Sequence, residues 1–562
     1  MKSNLSMRAC SRFQILPVLR LAGATALLPM ALWLIPTALW FYAFPVWLPW
    51  KTLISFVIGT IPFLLALLLA SDNNKYVGIA FYAVYALIAS VYSVHILLYH
   101  TQPSSITIAA LYETNLAEAK EFILSYSSAK TAAAVIFCWL LPVPFLYVLW
   151  HWSFKPHRNL RMAAVLLLIA ATGIALINSP SKTWKYNPLW QSYAAYRQYW
   201  QKKDALADLS RDKVAGILKK YGRISKIDSP VTLVVLIGES AARNHHGCYG
   251  YPRDTTPHAC RRARQLLFFT DIISAAPFTV PSHAKMLLLP VQNENDKLPL
   301  MHVLDAAGLQ SWWITSQYTY DSTASPLPLL ADHVISINAS IDKQQFFDEE
   351  ILLELNTVLN SRKESGGKVI FLNIMGSHVQ YASRYPHKFD TFIGSEGIVS
   401  RMGTEPAAQK IINAYDNSIR YTDYIIDQIL EMLEKIPNSA FIYLSDHGQD
   451  VYDEEQRYGH SITRDCGYEI PFYLWCSPSF VQWRGNGADM WKDCTDRPAM
   501  SSCLGFMLLD MLNIEFNDSN RALSPISPAY SPRKQRIISD YDYVYGSSRK
   551  SACLEKKSAC KP

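Results

Sequence analysis

The chain has ten cysteines in 562 residues, and no two of them stand in a CxxC spacing. That excludes a zinc knuckle or redox dithiol of the CxxC kind. It also lacks a stripe of arginine and lysine interleaved with aromatics, and its formal net charge is only +7, so a nucleic-acid-binding surface is excluded. No internal repeat is evident, and no clear cleavage site follows the first apolar run, which argues against a removable signal peptide. What is abundant is apolar character, 50% of residues, concentrated in the first third of the chain.

Five apolar stretches can each supply the roughly 20 helical residues that cross a bilayer core. They are Leu19–Phe44, Thr52–Ala70, Tyr76–Leu98, Thr131–Trp150 and Met162–Ile177. Pro29 and Pro36 predict a kink in the first. Lys2, Arg8, Arg12 and Arg20 precede the first stretch, and Lys155, Arg158 and Arg161 separate the fourth from the fifth. Five spans put both basic clusters on one side, the cytoplasmic one, so everything after Asn178 is exported. The expected organisation is a five-helix transmembrane bundle over 1–178, an amphipathic interfacial linker over 179–228 and a soluble α/β domain over 229–562. Trp, Tyr, Lys and Arg in the linker suit a headgroup layer. Eight cysteines fall in the exported part, an oxidising compartment. Cys248–Cys260, Cys466–Cys476 and Cys494–Cys503 are the pairings that proximity predicts, with Cys553 and Cys560 left in a polar tail.

In the soluble part, Val231–Ile237 (VTLVVLI), Lys368–Ile374 (KVIFLNI) and Ala440–Leu444 (AFIYL) read as buried parallel strands. They alternate with helical patterns such as Gln409–Ile436, as in a sheet covered on both faces. Sites in such sheets gather beyond the carboxyl ends of strands. Glu239 follows the first strand, His378 the second, Asp446 and His447 the third, and His460 lies in RYGH further on. Each alone would be an ordinary loop residue. Placed together at successive strand ends, their carboxylates and imidazoles are the ligand mix that zinc accepts. In IISAAPFTVPSHAK, Thr279 is the best candidate nucleophile. A threonine hydroxyl is weak at neutral pH, and a divalent metal on its oxygen would favour the alkoxide.

The segments LIGES, YGYPRDTTP, TVPS, MGSH, YDNSIRYTD and SDHGQDVYD…YGH, in that order, resemble the alkaline phosphatase and sulfatase superfamily. More closely, they resemble the membrane phosphoethanolamine transferases that modify lipopolysaccharide. The resemblance covers the whole chain, since that family also places five spans before a periplasmic catalytic domain. It implies that Glu239, Thr279, Asp446 and His447 ligate zinc and that Thr279 receives phosphoethanolamine. Ser282 completes the T-x-x-S spacing. His378 and His460 would hold the phosphoryl group or a second zinc. Thr114 and Glu118, in YETNLAEA, would help bind the lipid donor. Ser274–Ser282 holds no cysteine, Ala110 stands where an asparagine is common, and Gln449 replaces a frequent glutamate after DHG. The wording is nearer the members that act on the lipopolysaccharide core than those that act on lipid A.

The implied reaction draws phosphatidylethanolamine from the inner membrane of a bacterium, releases diacylglycerol, and passes phosphoethanolamine from Thr279 to a lipopolysaccharide acceptor, with the protein acting as a monomer. Phosphoglycerol transfer on the same scaffold remains a rival, distinguished by donor preference. A sulfatase would need Cys or Ser at the position of Thr279. A non-catalytic sensor would be expected to have lost ligands that are all present here.

Overall fold

The computed structural model of the protein describes residues 75–143 and 188–216 in part and most of 224–546. The predicted spans Leu19–Phe44, Thr52–Ala70 and Met162–Ile177 lie outside these residues, as do Thr114, Glu118, Cys10, Cys553 and Cys560. The chain divides into two compact units, the first built from residues 1–111 and 122–200.

In the first unit, Lys75–Tyr99 is helical over the third predicted span, and Ala129–Leu140 begins the fourth. These helices meet where Ser93 Oγ lies 3.7 Å from Cys138 Sγ. Among the described residues no helix is long and apolar enough to cross a membrane. Within the predicted linker, Pro188–Ala207 is helical, with Ala195 and Tyr199 buried and Tyr193 and Tyr196 exposed.

The second unit is built on a seven-stranded sheet. In chain order its strands are β1 (Thr232–Gly238), β2 (Leu267–Phe268), β3 (Gln310–Thr315), β4 (His333–Ser336), β5 (Lys368–Asn373), β6 (Ser439–Ser445) and β7 (Phe472–Cys476). Their spatial order is β2-β7-β6-β1-β5-β3-β4. Neighbours from β6 to β4 run parallel, and β7 is antiparallel to both β6 and β2. The three strands read from the sequence are β1, β5 and β6, each within a residue of its predicted ends, and they are adjacent at the centre.

Strand alternation sends side chains to two cores. Leu233, Val235, Ile237, Phe371, Ile442 and Leu444 face one layer, which contains Met286, Leu304 and Leu508 from the helices Thr279–Leu287, Leu300–Ala306 and Leu504–Met511. Val234, Leu236, Ile370, Leu372, Phe441 and Tyr443 face the other, against Leu355 of Ile351–Asn360 and Ile425 and Ile429 of Pro406–Leu433. Each buried aliphatic side chain contributes about 2 kcal/mol. A strand buried on both faces has no use for alternation, and this is why these runs are continuously apolar.

The helix Pro406–Leu433 starts with Pro at its first turn. It also buries Asp416, Asn417, Asp423 and Asp427. These polar groups hold loops rather than catalyse. Asp416 takes Arg253 at 2.8 Å, Tyr251 at 2.9 Å and His245 Nδ1 at 2.7 Å, while His245 Nε2 reaches Asp453 at 3.2 Å. One buried cluster therefore joins GYPRDTTP, YDNSIRYTD and DVYD.

Of the predicted disulfides, Cys248–Cys260 forms. Cys466–Cys476 and Cys494–Cys503 do not, and all four of these residues carry thiols. Closeness in sequence misled here because the four side chains are committed to different surroundings. Cys476 ends β7 opposite Ala440, and Cys466 sits in the turn Asp465–Gly467. Cys494 Sγ is directed at Ile526 O (3.9 Å), and Cys503 Sγ packs on Met507 Sδ (3.7 Å).

Candidate active site

Because β1 lies between β5 and β6, the segments leaving those three strands converge. Gly238 pairs with Ser445, so Glu239 and Asp446 leave the sheet at one level. Ser240 adopts φ +59°, turning the chain sharply after the strand. Its N–H donates to Asp446 Oδ1 at 3.0 Å, and Tyr415 Oη donates to its carbonyl at 2.7 Å. Gly376, after β5, fits only as glycine. A Cβ there would lie 2.9 Å from Glu239 N and 3.0 Å from its O, and φ is +46°. The turn carrying His378 is pinned by buried Asp348, which accepts from Met375 N at 2.9 Å and Gly376 N at 2.8 Å.

Glu239, Asp446 and His447 are buried, and their ligand atoms lie within 4.8 Å of one another. His447 Nε2 is 3.3 Å from Glu239 Oε1 and 3.4 Å from Asp446 Oδ2. His447 Nδ1–H donates to Gly448 O at 2.9 Å, which leaves the Nε2 lone pair for the cluster. Asp446 Oδ2 and His447 Nε2 have no hydrogen-bond partner among the described residues. Buried polar atoms are rarely left so, and two carboxylates and an imidazole around one point fit a divalent zinc.

The charges carry the same signature. Burial favours the neutral acid at Glu239, yet the adjoining His447, and His378 by charge, hold it well below the carboxylate range. Asp446 is pushed up to about 7, first by burial and then by the charge of Glu239. Burial disfavours a charged His447, but Asp446 and Glu239 raise it to about 9. Two like charges and a proton crowd a space that one dication would neutralise.

Thr279 opens the helix Thr279–Leu287 and donates its hydroxyl to Glu239 Oε2 at 3.0 Å. The helix is tied to the ligand loop because Ser282 Oγ donates to Asp446 O at 2.6 Å. The positive end of the helix dipole also favours negative charge on the Thr279 oxygen. His460 lies against His447, ring centroids 4.6 Å apart, and its Nδ1–H donates to Pro277 O at 3.1 Å. His378 is half-buried, close enough to Glu239 and His447 to feel both charges, and Arg384 donates to its Nδ1 at 3.3 Å. Burial, with the Arg384 charge, holds His378 near about 4, and burial with the charge of His447 holds His460 well below its ordinary value.

The site thus joins Glu239, Thr279, His378, Asp446, His447 and His460. Two contributors were invisible to sequence reading. Gln317, just past β3, donates Nε2 to Glu239 Oε2 and to Ile374 O, both at 3.0 Å. His283, one turn below Thr279, is buried edge-on to Trp313 at 5.9 Å and lies near enough to Glu239 and His447 to feel their charges. The only available signal was position, since Gln317 is also at a strand's carboxyl end.

Residues 231–495 match the sulfatase family. The phosphoethanolamine transferase EptC of Escherichia coli K12 is 26% identical over 502 residues, covering 80% of this chain and 83% of that protein. The phosphoethanolamine transferase EptA of Helicobacter pylori is 30% identical over 260 residues, 44% of this chain and 48% of that protein. Among solved structures, the zinc complex of the E. coli EptC periplasmic domain matches at TM-score 0.51 and 25% identity, covering 56% of this chain and 91% of that one. The integral membrane protein EptA of Neisseria meningitidis matches at TM-score 0.61 and 16% identity over 91% of this chain and 99% of that one, a likeness of fold. The resemblance to phosphoethanolamine transferases that the motifs implied is borne out, and the sulfatase-like architecture of the soluble domain with it.

Proposed function

We propose that the protein transfers phosphoethanolamine from phosphatidylethanolamine to a lipopolysaccharide acceptor, a core sugar or lipid A, through a covalent intermediate on Thr279. The observation that carries this reading is the Thr279 hydroxyl, held at a helix start 3.0 Å from the buried Glu239 carboxylate, beside Asp446 Oδ2 and His447 Nε2, which have no hydrogen-bond partner among the described residues. Glu239, Thr279, Asp446 and His447 would hold zinc, which supplies charge to activate the hydroxyl and polarise phosphoryl oxygens. Similarity to a phosphoethanolamine transferase over most of that protein's length supports the identity of the transferred group.

Thr279 Oγ1 attacks the donor phosphorus, the phosphorus–diacylglycerol bond breaks, and the alcohol oxygen of diacylglycerol gains a proton. An acceptor oxygen then displaces Thr279, so the kinetics are ping-pong. The two histidines divide the remaining work by tautomer. Arg384 donates to His378 Nδ1, which leaves the imidazole proton on Nε2, a donor suited to the transferring phosphoryl oxygens. His460 donates from Nδ1 to Pro277, which leaves a lone pair on Nε2, suited to a second zinc or to the acceptor's proton. Thr114 and Glu118 are assigned to the lipid donor. In this reading the five predicted spans anchor the chain in the inner membrane, with residues 229–562 in the periplasm.

The test is mass spectrometry of the tryptic peptide Gln265–Lys285 after incubating the purified protein with phosphatidylethanolamine and zinc. A phosphoethanolamine adduct on Thr279, absent from Thr279→Ala along with transfer, is expected. Turnover by Thr279→Ala would refute the nucleophile, and an adduct formed only from phosphatidylglycerol would replace the donor.

A further inference from the structure

Gln449 is completely buried, two positions beyond His447, and its hydrogen bonds run away from the proposed nucleophile. Its Nε2 donates to Ser240 Oγ at 2.8 Å, and its Oε1 accepts from the Tyr381 hydroxyl. Ser240 Oγ in turn donates to Glu239 Oε1 at 2.7 Å. The far end of this chain dictates every proton in it. Ser240 supplies the proton shared with Glu239 Oε1. The serine oxygen is then an acceptor, so residue 449 must face it with an N–H. The other end of that amide is consequently a carbonyl, and Tyr381 supplies its proton.

The chain is anchored at each link. The Ser240 backbone is fixed by Asp446 and Tyr415. The Tyr381 ring packs edge-on against Tyr415 at 4.9 Å and Tyr458 at 5.9 Å. Tyr381 belongs to the segment after β5, Gln449 to that after β6 and Ser240 to that after β1, so the chain couples all three loops that form the site.

We propose that Gln449 is a positioning residue of the metal centre. Through Ser240 it locks Glu239 so that Oε1 meets His447 and Oε2 meets Thr279. In this chain an amide fits the position because it both donates to Ser240 and accepts from Tyr381. A glutamate at 449 would be a second buried acceptor, competing with Glu239 for the single Ser240 proton. The inference rests on reading Glu239 as a zinc ligand.

The experiment uses the full chain in detergent and measures zinc affinity by chelator competition and the visible spectrum of the cobalt-loaded protein, neither of which requires a lipid substrate. Partners that orient metal ligands change affinity by about 10–100-fold when removed. Gln449→Met and Gln449→Glu are therefore each expected to bind zinc about tenfold more weakly, with a shifted cobalt spectrum. Since the effect passes through Ser240, the double variant Ser240→Ala/Gln449→Met is expected to bind no more weakly than Ser240→Ala. Unchanged affinity and spectrum in Gln449→Met, or additive losses in the double variant, would overturn the relay while leaving the zinc centre standing. Should Gln449→Met fail to fold, Tyr381→Phe decides, with weakened zinc binding expected and unchanged binding overturning the relay. Absence of zinc binding by the unaltered protein would overturn the metal centre and the relay together.

Discussion

His245 shows how a residue can be indispensable without touching the chemistry. Burial alone would favour its neutral form, but the carboxylates of Asp453 and Asp416 hold its pKa up at about 10. A histidine whose folded pKa lies above its ordinary value stabilises the fold below that ordinary value and loses the contribution as pH rises through the folded one. The stabilisation is therefore intact at pH 6 and declines towards pH 10. Thermal unfolding of the protein from pH 7 to 11 is expected to show this alkaline loss, and His245→Gln is expected to remove it while lowering stability at pH 7. An alkaline limb identical in both proteins would assign it to other groups. At the same scale, the sequence singled out Glu239, Asp446, His447, His378, His460 and Thr279, and the structure brings all six together. It was silent on Gln317 and His283, because a glutamine or histidine in an ordinary run becomes a site residue only through its neighbours.

At the scale of elements, the site depends on how closely three loops can approach. Gly376 lets the turn after β5 lie against the Glu239 backbone, with Ser377 N donating to Glu239 O at 2.9 Å. Gly376→Ala would force these segments apart, since real Cβ atoms do not sit 2.9 Å from a backbone nitrogen. The expected cost is about 1–3 kcal/mol in stability, with a larger loss of zinc binding than of folding. Paired measurements of unfolding midpoint and zinc affinity check this, and a variant that keeps wild-type zinc affinity would contradict it. Ser282 acts at the same scale. Its bond to Asp446 O fastens the nucleophile helix to the ligand loop, so Ser282→Ala is expected to destabilise by about 1 kcal/mol and to slow transfer, read by unfolding and by turnover.

At the scale of the whole soluble unit, one predicted bridge forms and two do not. Cys248–Cys260 closes a short loop, separation 12, next to the residues that bind Asp416. In the chain-entropy account such a loop is worth roughly 3 kcal/mol. Cys248→Ser is expected to lower stability by about that amount, measured by denaturant unfolding, and reductant is expected to add nothing further in that variant. Conversely, Cys476→Ser and Cys503→Ser leave no bridge to break, so non-reducing peptide mapping of the oxidised protein should find neither Cys466–Cys476 nor Cys494–Cys503.

The sequence by itself determined the α/β class, the three central strands to within a residue and which residues gather beyond their ends. It could do so because a strand buried on both faces must be apolar throughout, and because ligands at strand ends are set by local chain order. Tertiary structure alone decided the seven-strand order that puts β1 between β5 and β6, the bridging of one cysteine pair among three, and the shell of Gln317, Ser240, Gln449 and Tyr381 around Glu239. Those outcomes rest on contacts between residues up to 209 positions apart, as in the Gln449–Ser240 bond. Local composition carries no record of such pairings; only packing the sheet brings the partners within hydrogen-bonding distance.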